Sequence, residues 1–267
     1  MTPATECAPA KINLALHVTG QQANGYHCLD SLVVFADVGD VLTVASADRT
    51  ALTVTGPFAA GVPEDARNLV WKALDRAGET AHVTLIKNLP HGAGIGGGSS
   101  DAAAILRVVG RPDLALGLGA DVPVCLHTRP QRMQGIGDVL SDVPDCPRFW
   151  LVLVNPGAHV PTVDVFGALS RKDNPPMDPM PAHGDWLDWL AAQRNDLQAP
   201  ALAYAPVIAD ALATLGDAAL ARMSGSGSTC FGIYPDAEAA RAAQARIARD
   251  HPDWWVIATQ TLGADLS

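Results

Sequence analysis

The stretch Leu89-Pro-His-Gly-Ala-Gly-Ile-Gly-Gly-Gly-Ser-Ser-Asp-Ala-Ala103 decides how this chain is read. Five of the seven residues from Gly92 to Gly98 are glycine, and the apolar run Ala102 to Leu106 follows at once, with Gly110 closing it. Glycine costs roughly 0.5–1 kcal/mol more than alanine in regular structure, so this density points to a backbone that something approaches closely. A side-chain-free loop feeding a helix N-terminus aims amides at one spot, which makes a cradle for polyphosphate. Ser99 and Ser100 are placed to cap the helix and to turn their hydroxyls toward phosphate. The plain alternative is a flexible glycine turn before an ordinary helix.

The type of phosphate loop is a separate question. Gly92-x-Gly94-x-x-Gly97 matches the dinucleotide fingerprint and follows a strand expected at 82–87, so a Rossmann-type NAD(P) oxidoreductase is one reading. That fingerprint belongs in the first strand-to-helix turn of its fold, whereas here Asn88-Leu89-Pro90 intervenes and the loop lies well along the chain. No ribose-binding acid stands at a convincing position. A Walker loop is absent, since no lysine follows the glycines.

Composition narrows the classes. At 267 residues the chain can bury a substantial core and has room for two closely packed domains. A hydrophobic fraction of 48% against 17% charged residues reads as globular, and the net charge of -10 argues against broad phosphate neutralisation on nucleic acid. An amide cradle still holds a nucleotide when Mg²⁺ offsets the ligand's charge. The start, Met1 to Glu6, lacks a basic segment and an apolar core, and no apolar run approaches the roughly 20 residues a membrane span needs. A cytoplasmic protein with no membrane association is therefore expected. Cys7, Cys28, Cys125, Cys146 and Cys230 are odd in number and form no Cys-x-x-Cys pair, so they read as buried thiols, not as a disulfide framework or zinc site.

Periodicity places strands at 10–18, 31–36, 41–45 and 51–55, a helix over 68–77 with Leu69, Val70, Ala73 and Leu74 on its apolar side, and the strand at 82–87. A shift at Asp142-Val143-Pro144-Asp145-Cys146-Pro147 marks a boundary between domains 1–147 and 148–267. Beyond it come a strand at 149–154, a proline-rich surface loop at 172–182, helices over 185–193, 206–221 and 236–249, and strands near 219–223, 229–234 and 254–260. The mixture without strict alternation reads as α+β.

Individual side chains carry further information. Lys11 lies among Ala10, Ile12 and Leu14, where a cation is costly unless an anionic group meets it or it snorkels to solvent. Asn13, two residues on, shares its strand face. Asp121, between Gly119-Ala120 and Val122-Pro123, is either a carboxylate aimed by small rigid neighbours or a turn former. Tyr26-His27 offers a stacking ring and an imidazole to a heterocycle, or simply packs. His91 reads as exposed on the loop rim.

The spacing Pro90-x-x-x-Gly94-Ile95-Gly96-x-x-Ser99-Ser100 resembles the phosphate loop of the GHMP kinases. Ala8-Pro9-Ala10-Lys11-Ile12-Asn13-Leu14, Gly25-Tyr26-His27, Gly119-Ala120-Asp121-Val122-Pro123-Val124, Asn155-Pro156-Gly157, Arg194-Asn195-Asp196-Leu197 and Ser224-Gly225-Ser226-Gly227-Ser228 follow in the order of that superfamily's branch acting on a cytidine-diphosphate-linked methylerythritol. The resemblance spans essentially the whole chain.

It implies a two-domain fold, with an N-terminal nucleotide domain like the second domain of ribosomal protein S5 and a C-terminal ferredoxin-like α/β sandwich. It also implies an ATP-dependent kinase with Mg²⁺, acting on a small molecule as a monomer or weak homodimer. Lys11 and Asp121 become catalytic, with Asp121 taking the alcohol proton and Lys11 keeping it ionised. Asn68, Pro90, Gly92, Gly94, Ile95, Gly96, Gly97, Gly98, Ser99 and Ser100 become the ATP site. Asn13, Tyr26, His27, Gly225, Ser226 and Gly227 become the acceptor site. No residue is assigned to the metal. Residues 111–118 are shorter than the resemblance predicts, as if one helix were trimmed behind Asp121. Another GHMP kinase, or a nucleotide-binding protein without turnover, remains an alternative reading.

Overall fold

The computed structural model describes residues 3–264. Its strands are β1 (Ala4–Gln21), β2 (His27–Ser46), β3 (Ala51–Thr55), β4 (Ala81–Ile86), β5 (Gln131–Gly135), β6 (Val139–Asp142), β7 (Trp150–Asn155), β8 (Leu220–Met223), β9 (Cys230–Tyr234) and β10 (Trp255–Gln260). Its helices are α1 (Leu69–Ala77), α2 (Gly97–Val108), α3 (Ala115–Leu118), α4 (Val122–Cys125), α5 (Thr162–Gly167), α6 (Trp186–Ala192), α7 (Gln198–Tyr204), α8 (Val207–Thr214) and α9 (Ala237–Asp250). The chain divides into two compact units. One takes the chain up to Lys11, Val38–His91 and Gly96–Thr128; the other takes Ile12–Asp37, Gly92–Ile95 and the chain from Arg129. The boundary read at 147/148 falls inside the second unit, because β5 registers against Leu29–Val33 of β2 and so joins the later chain to an earlier strand.

In the first unit, β4 lies between β3, which runs parallel, and Val41–Ser46 of β2, which runs antiparallel. Ala81, Val83 and Leu85 alternate inward along β4. The strand that follows the glycine loop and α2 is β5, which pairs antiparallel with β2 and not in parallel beside β4, so the loop does not open the βαβ unit a dinucleotide fingerprint requires and the Rossmann alternative falls. Helix α1 buries Val70, Ala73 and Leu74, Asn68 caps its start, and Gly78 closes it in the left-handed conformation. Helix α2 is buried from Ser100 to Leu106, a helix enclosed on all sides, and its three consecutive alanines let neighbours approach. Segment 111–118 forms a 3₁₀ turn (Pro112–Leu114) and the single turn α3.

In the second unit, β10, β7, β9 and β8 form an antiparallel sheet in that order. Val152 and Val154 of β7 pack with Val165, Ile208, Ala211, Ala240, Ala243 and Ile247 in one core, giving a sandwich of helices on a sheet. The helix read over 206–221 ends at Thr214, where the chain turns toward β8. The β5–β6 hairpin and α7 were not legible beforehand, since both are short and partly polar. Residues 172–182 are irregular as read, but not merely superficial: Met177 is buried and donates its N–H to Asp30 at 2.9 Å.

Three cysteines, Cys125, Cys146 and Cys230, are buried as expected; Cys7 is exposed and Cys28 half-buried, and no disulfide forms among the described residues. No described helix is long and apolar enough to cross a membrane.

Gly39 is needed where β1 and β2 pass closely, since a Cβ there would lie 2.4 Å from the Ala8 carbonyl oxygen. Gly39→Ala is expected to cost roughly 1–3 kcal/mol, the range for overpacking, read as a lower midpoint in equilibrium urea unfolding.

Candidate active site

In the first unit, strand β1 delivers Lys11 into apolar surroundings, and the partner it needs is Asp121, with Nζ to Oδ2 at 2.9 Å. The lysine side chain is 5% exposed and the carboxylate 40%, so the acid keeps an open side while its cation is enclosed. Asp121 precedes α4 in the N-cap position, yet its side chain makes no capping bond. The carboxylate is therefore not spent on capping, although the residue sits in a turn closed by the Val122 N–H on the Gly119 carbonyl.

Gly96, in the left-handed conformation, is the N-cap of α2. A Cβ on Gly96 would sit 3.1 Å from the Lys11 Cβ, so the helix start rests on the lysine's stem. The expectation that Ser99 and Ser100 cap this helix is corrected: both lie inside its first turns, and the buried Ser100 hydroxyl donates to the Pro9 carbonyl at 2.9 Å. Gly97, Gly98 and Ser99 carry first-turn amides with no intrahelical acceptor, the donors an anion would use. Asn68 spends its amide on the Val70 N–H and the Pro63 carbonyl, at 2.9 and 2.8 Å. It thereby orders one side of a cleft of about 510 Å³ lined by Val54, Ala59, Val62, Pro63, Glu64 and Arg67. Pro90 is buried, and His91 is exposed as read.

A second charged group, not foreseen, lies beside the helix start. Lys87 bonds to Asp40 and, at 2.8 Å, to Asp101. All three side chains are at most 4% exposed. Burial alone would pull Lys87 down, but the two carboxylates outweigh it and hold its pKa above the ordinary value. Burial pushes Asp101 up to about 7, against the pull of Lys87 and with help from Asp40. The one available sequence signal was a lysine directly after the strand that feeds the glycine loop.

In the second unit, Asn13 donates its backbone N–H to Ser224 Oγ at 3.1 Å and its side-chain amide to Ser31 at 2.8 Å, while its Oδ1, fully buried, has no partner among the described residues. Gly94 and the 224–228 turn pack backbone on backbone: a Cβ on Gly94 would lie 2.6 Å from the Ser224 carbonyl oxygen, and one on Gly225 would lie 2.7 Å from that of Gly94. These glycines are thus required by close packing within this unit. Ile95 is a core residue. Gly92 lies against the exposed His159, whose Nδ1 would be 2.8 Å from an added Cβ. Ser226 meets Thr162 at 2.8 Å.

Tyr26 is exposed, 58%, while His27 stacks on Phe166 with ring centroids 4.8 Å apart. Burial, and then the charge of Lys172, lower the His27 pKa, favouring neutral imidazole, and its Nε2 has no partner among the described residues. Phe166 had no sequence signal; only the fold brings it to His27.

An ion-paired carboxylate with an open side stands next to a glycine-capped helix start, an arrangement suited to phosphoryl transfer to a small molecule. Residues 67–112 match the GHMP kinases N terminal domain and residues 180–253 the GHMP kinases C terminal region. A 4-diphosphocytidyl-2-C-methyl-D-erythritol kinase of Jannaschia sp. (strain CCS1) is 54% identical, with 96% of this chain and 97% of that protein covered. The protein of that name from Paracoccus denitrificans (strain Pd 1222) is 53% identical, with 95% of each covered. A crystal structure of 4-(cytidine 5'-diphospho)-2C-methyl-D-erythritol kinase superposes with a TM-score of 0.77 at 30% identity, covering 97% of this chain and all of that one. The homoserine kinase of Cytophaga hutchinsonii shares the fold, with a TM-score of 0.67 at 15% identity and 98% and 95% covered. The chain belongs to the 4-diphosphocytidyl-2-C-methyl-D-erythritol kinase family, ATP-dependent phosphotransferases within the GHMP kinases.

Asp101 yields a signed pH dependence. Its folded pKa of about 7 lies above the unfolded value of about 3.9, so the folded state holds the proton more tightly and stability is lost as pH rises through that interval, about 1.4 kcal/mol per unit. Asp101→Asn removes this slope. In paired thermal melts from pH 5 to pH 7 the native protein is expected to lose ground to the variant, with the gap levelling off above that; parallel curves between pH 5 and pH 7 would contradict it.

Proposed function

We propose that this chain transfers the γ-phosphoryl group of ATP to the 2-hydroxyl of 4-diphosphocytidyl-2-C-methyl-D-erythritol, a step of non-mevalonate isoprenoid precursor biosynthesis. The observation that carries the chemistry is the 2.9 Å pair of Lys11 and Asp121. Asp121 accepts the proton as the hydroxyl oxygen attacks the γ-phosphorus; the bond to the β,γ-bridging oxygen breaks and ADP leaves. Lys11 holds the carboxylate in place through that ion pair and sets a positive charge beside the reacting oxygen. Proton acceptance and charge stabilisation are the parts this reaction asks of the protein.

The first-turn amides at Gly97, Gly98 and Ser99 take the nucleotide's phosphates, with Pro90, Gly92, Gly94, Ile95, Gly96 and Ser100 setting the path of the loop. Asn68 shapes the cleft for the base. Mg²⁺ would enter with the nucleotide and would lower the charge of its phosphates.

For the acceptor, Tyr26 and Phe166 offer ring faces to cytosine, and the neutral His27 offers the unpartnered Nε2. Asn13 contributes its unpartnered Oδ1, and the turn Gly225-Ser226-Gly227 bounds the diphosphate. The enzyme acts as a monomer or weak homodimer in the cytoplasm, without nucleic acid; the charge of -10 supports the last point.

Purified protein is expected to release ADP only when the cytidylated acceptor is supplied; equal turnover of mevalonate or homoserine would overturn the substrate. Asp121→Asn is expected to lower kcat by about 10² to 10⁴ with the circular dichroism spectrum unchanged, and near-native turnover would remove Asp121 from the base role. Phe166→Ala is expected to raise the acceptor KM roughly five- to hundredfold, as loss of about 1–3 kcal/mol of base stacking would, while the KM for ATP stays put.

A further inference from the structure

Three charges are buried together at Lys87, Asp40 and Asp101, and none of them belongs to the catalytic pair. Such a group is a poor stabiliser, because well-packed apolar residues of similar volume usually do as well or better. Here two carboxylates also share one ammonium, and Asp101 Oδ1 has no partner among the described residues. What the cluster touches is more informative than its energy.

On the leading side of the glycine loop, Asp40 Oδ1 accepts the N–H groups of Asn88 and Leu89 at 2.6 and 2.9 Å, and the Asn88 amide donates to the Gly39 carbonyl at 3.0 Å. Lys87 itself donates its N–H to the Thr55 carbonyl at 2.7 Å. On the trailing side, the same ammonium holds Asp101 of α2 at 2.8 Å. It also sits under the first helical residue, where a Cβ on Gly97 would lie 3.5 Å from Lys87 Nζ and 3.6 Å from Asp40 Oδ2. Both ends of the stretch 90–96 are therefore fastened to one buried lysine.

We propose that Lys87, held between Asp40 and Asp101, is the positioning residue that presets the glycine loop and the first turn of α2 for a nucleotide's phosphates. It acts through the backbone and touches no ligand. Amides that must converge on one anion lose affinity when their support loosens, since ordering them is then charged to binding. This rests on the reading of 90–100 as the ATP loop.

The test uses the full chain and a non-hydrolysable β,γ-imido ATP analogue, with Kd from titration calorimetry, separate KM values for ATP and acceptor, and thermal melts. Lys87→Met is expected to raise the analogue Kd and the ATP KM about tenfold or more while the acceptor KM holds, and Lys87→Arg to recover part of the loss. Asp101→Asn, which discards the surplus carboxylate, is expected to melt no lower than the native protein at pH 8 and yet to bind the analogue several-fold more weakly. A merely structural cluster would not separate stability from affinity in this way. If Lys87→Met does not fold, Asp101→Asn decides alone, and an unchanged Kd in it overturns the proposal.

Gly98→Asp tells the two readings apart. Gly98 is exposed with the nearest atom 3.8 Å from an added Cβ, and a carboxylate suits a helix start while repelling phosphate. An unchanged Kd in Gly98→Asp overturns the loop reading and this proposal with it. Weakening in Gly98→Asp but not in the Lys87 and Asp101 variants overturns the positioning role alone.

Discussion

A cation inside an apolar strand has few ways to exist, and Lys11 takes the one that sets a carboxylate beside it. Its stem is enclosed by β1 and by the glycine start of α2, so the ammonium cannot reach bulk water and must meet a carboxylate. Asp121 provides it from a short helix whose cap it declines to fill. Because the acid remains partly open, the pair is more than a buried salt bridge: one side of the carboxylate stays free to meet a ligand. The packing of Gly96 on the lysine, and so the absence of a side chain there, follows from the same constraint.

Glycine serves two different purposes in this chain. At Gly97 and Gly98 it leaves helix-start amides uncovered, the arrangement that suits an anion. At Gly94 and Gly225 it allows two backbones to touch, and a methyl group at either position would collide with a carbonyl oxygen. A dense glycine motif can therefore combine uncovered amides with backbone packing, and the two parts are expected to respond differently to substitution. Only a side chain at the former can block an anion without first disturbing the protein.

Much of the site was legible beforehand because its signals are local. Five glycines ahead of an alanine-rich helix, a lysine in an apolar strand and an aspartate set among Gly, Ala and Pro each state a physical need within a few residues. The fate of Ser100 was not legible, since its hydroxyl bonds to a carbonyl 91 residues away. Nor was Phe166, whose sequence surroundings give no hint of His27. The Lys87 cluster draws its acids from β2 and α2, and no spacing rule joins them.

The sequence by itself determined the class of chemistry, the order of the motifs and most secondary elements, because glycine conformation, helix periodicity and the cost of a lone charge act over a few neighbouring residues. Tertiary structure alone decided which carboxylate meets which ammonium, which serine is spent on a backbone carbonyl, and where the chain divides into units. Those outcomes depend on pairing between distant strands, as where β5 joins β2, and pairing is a property of the folded whole.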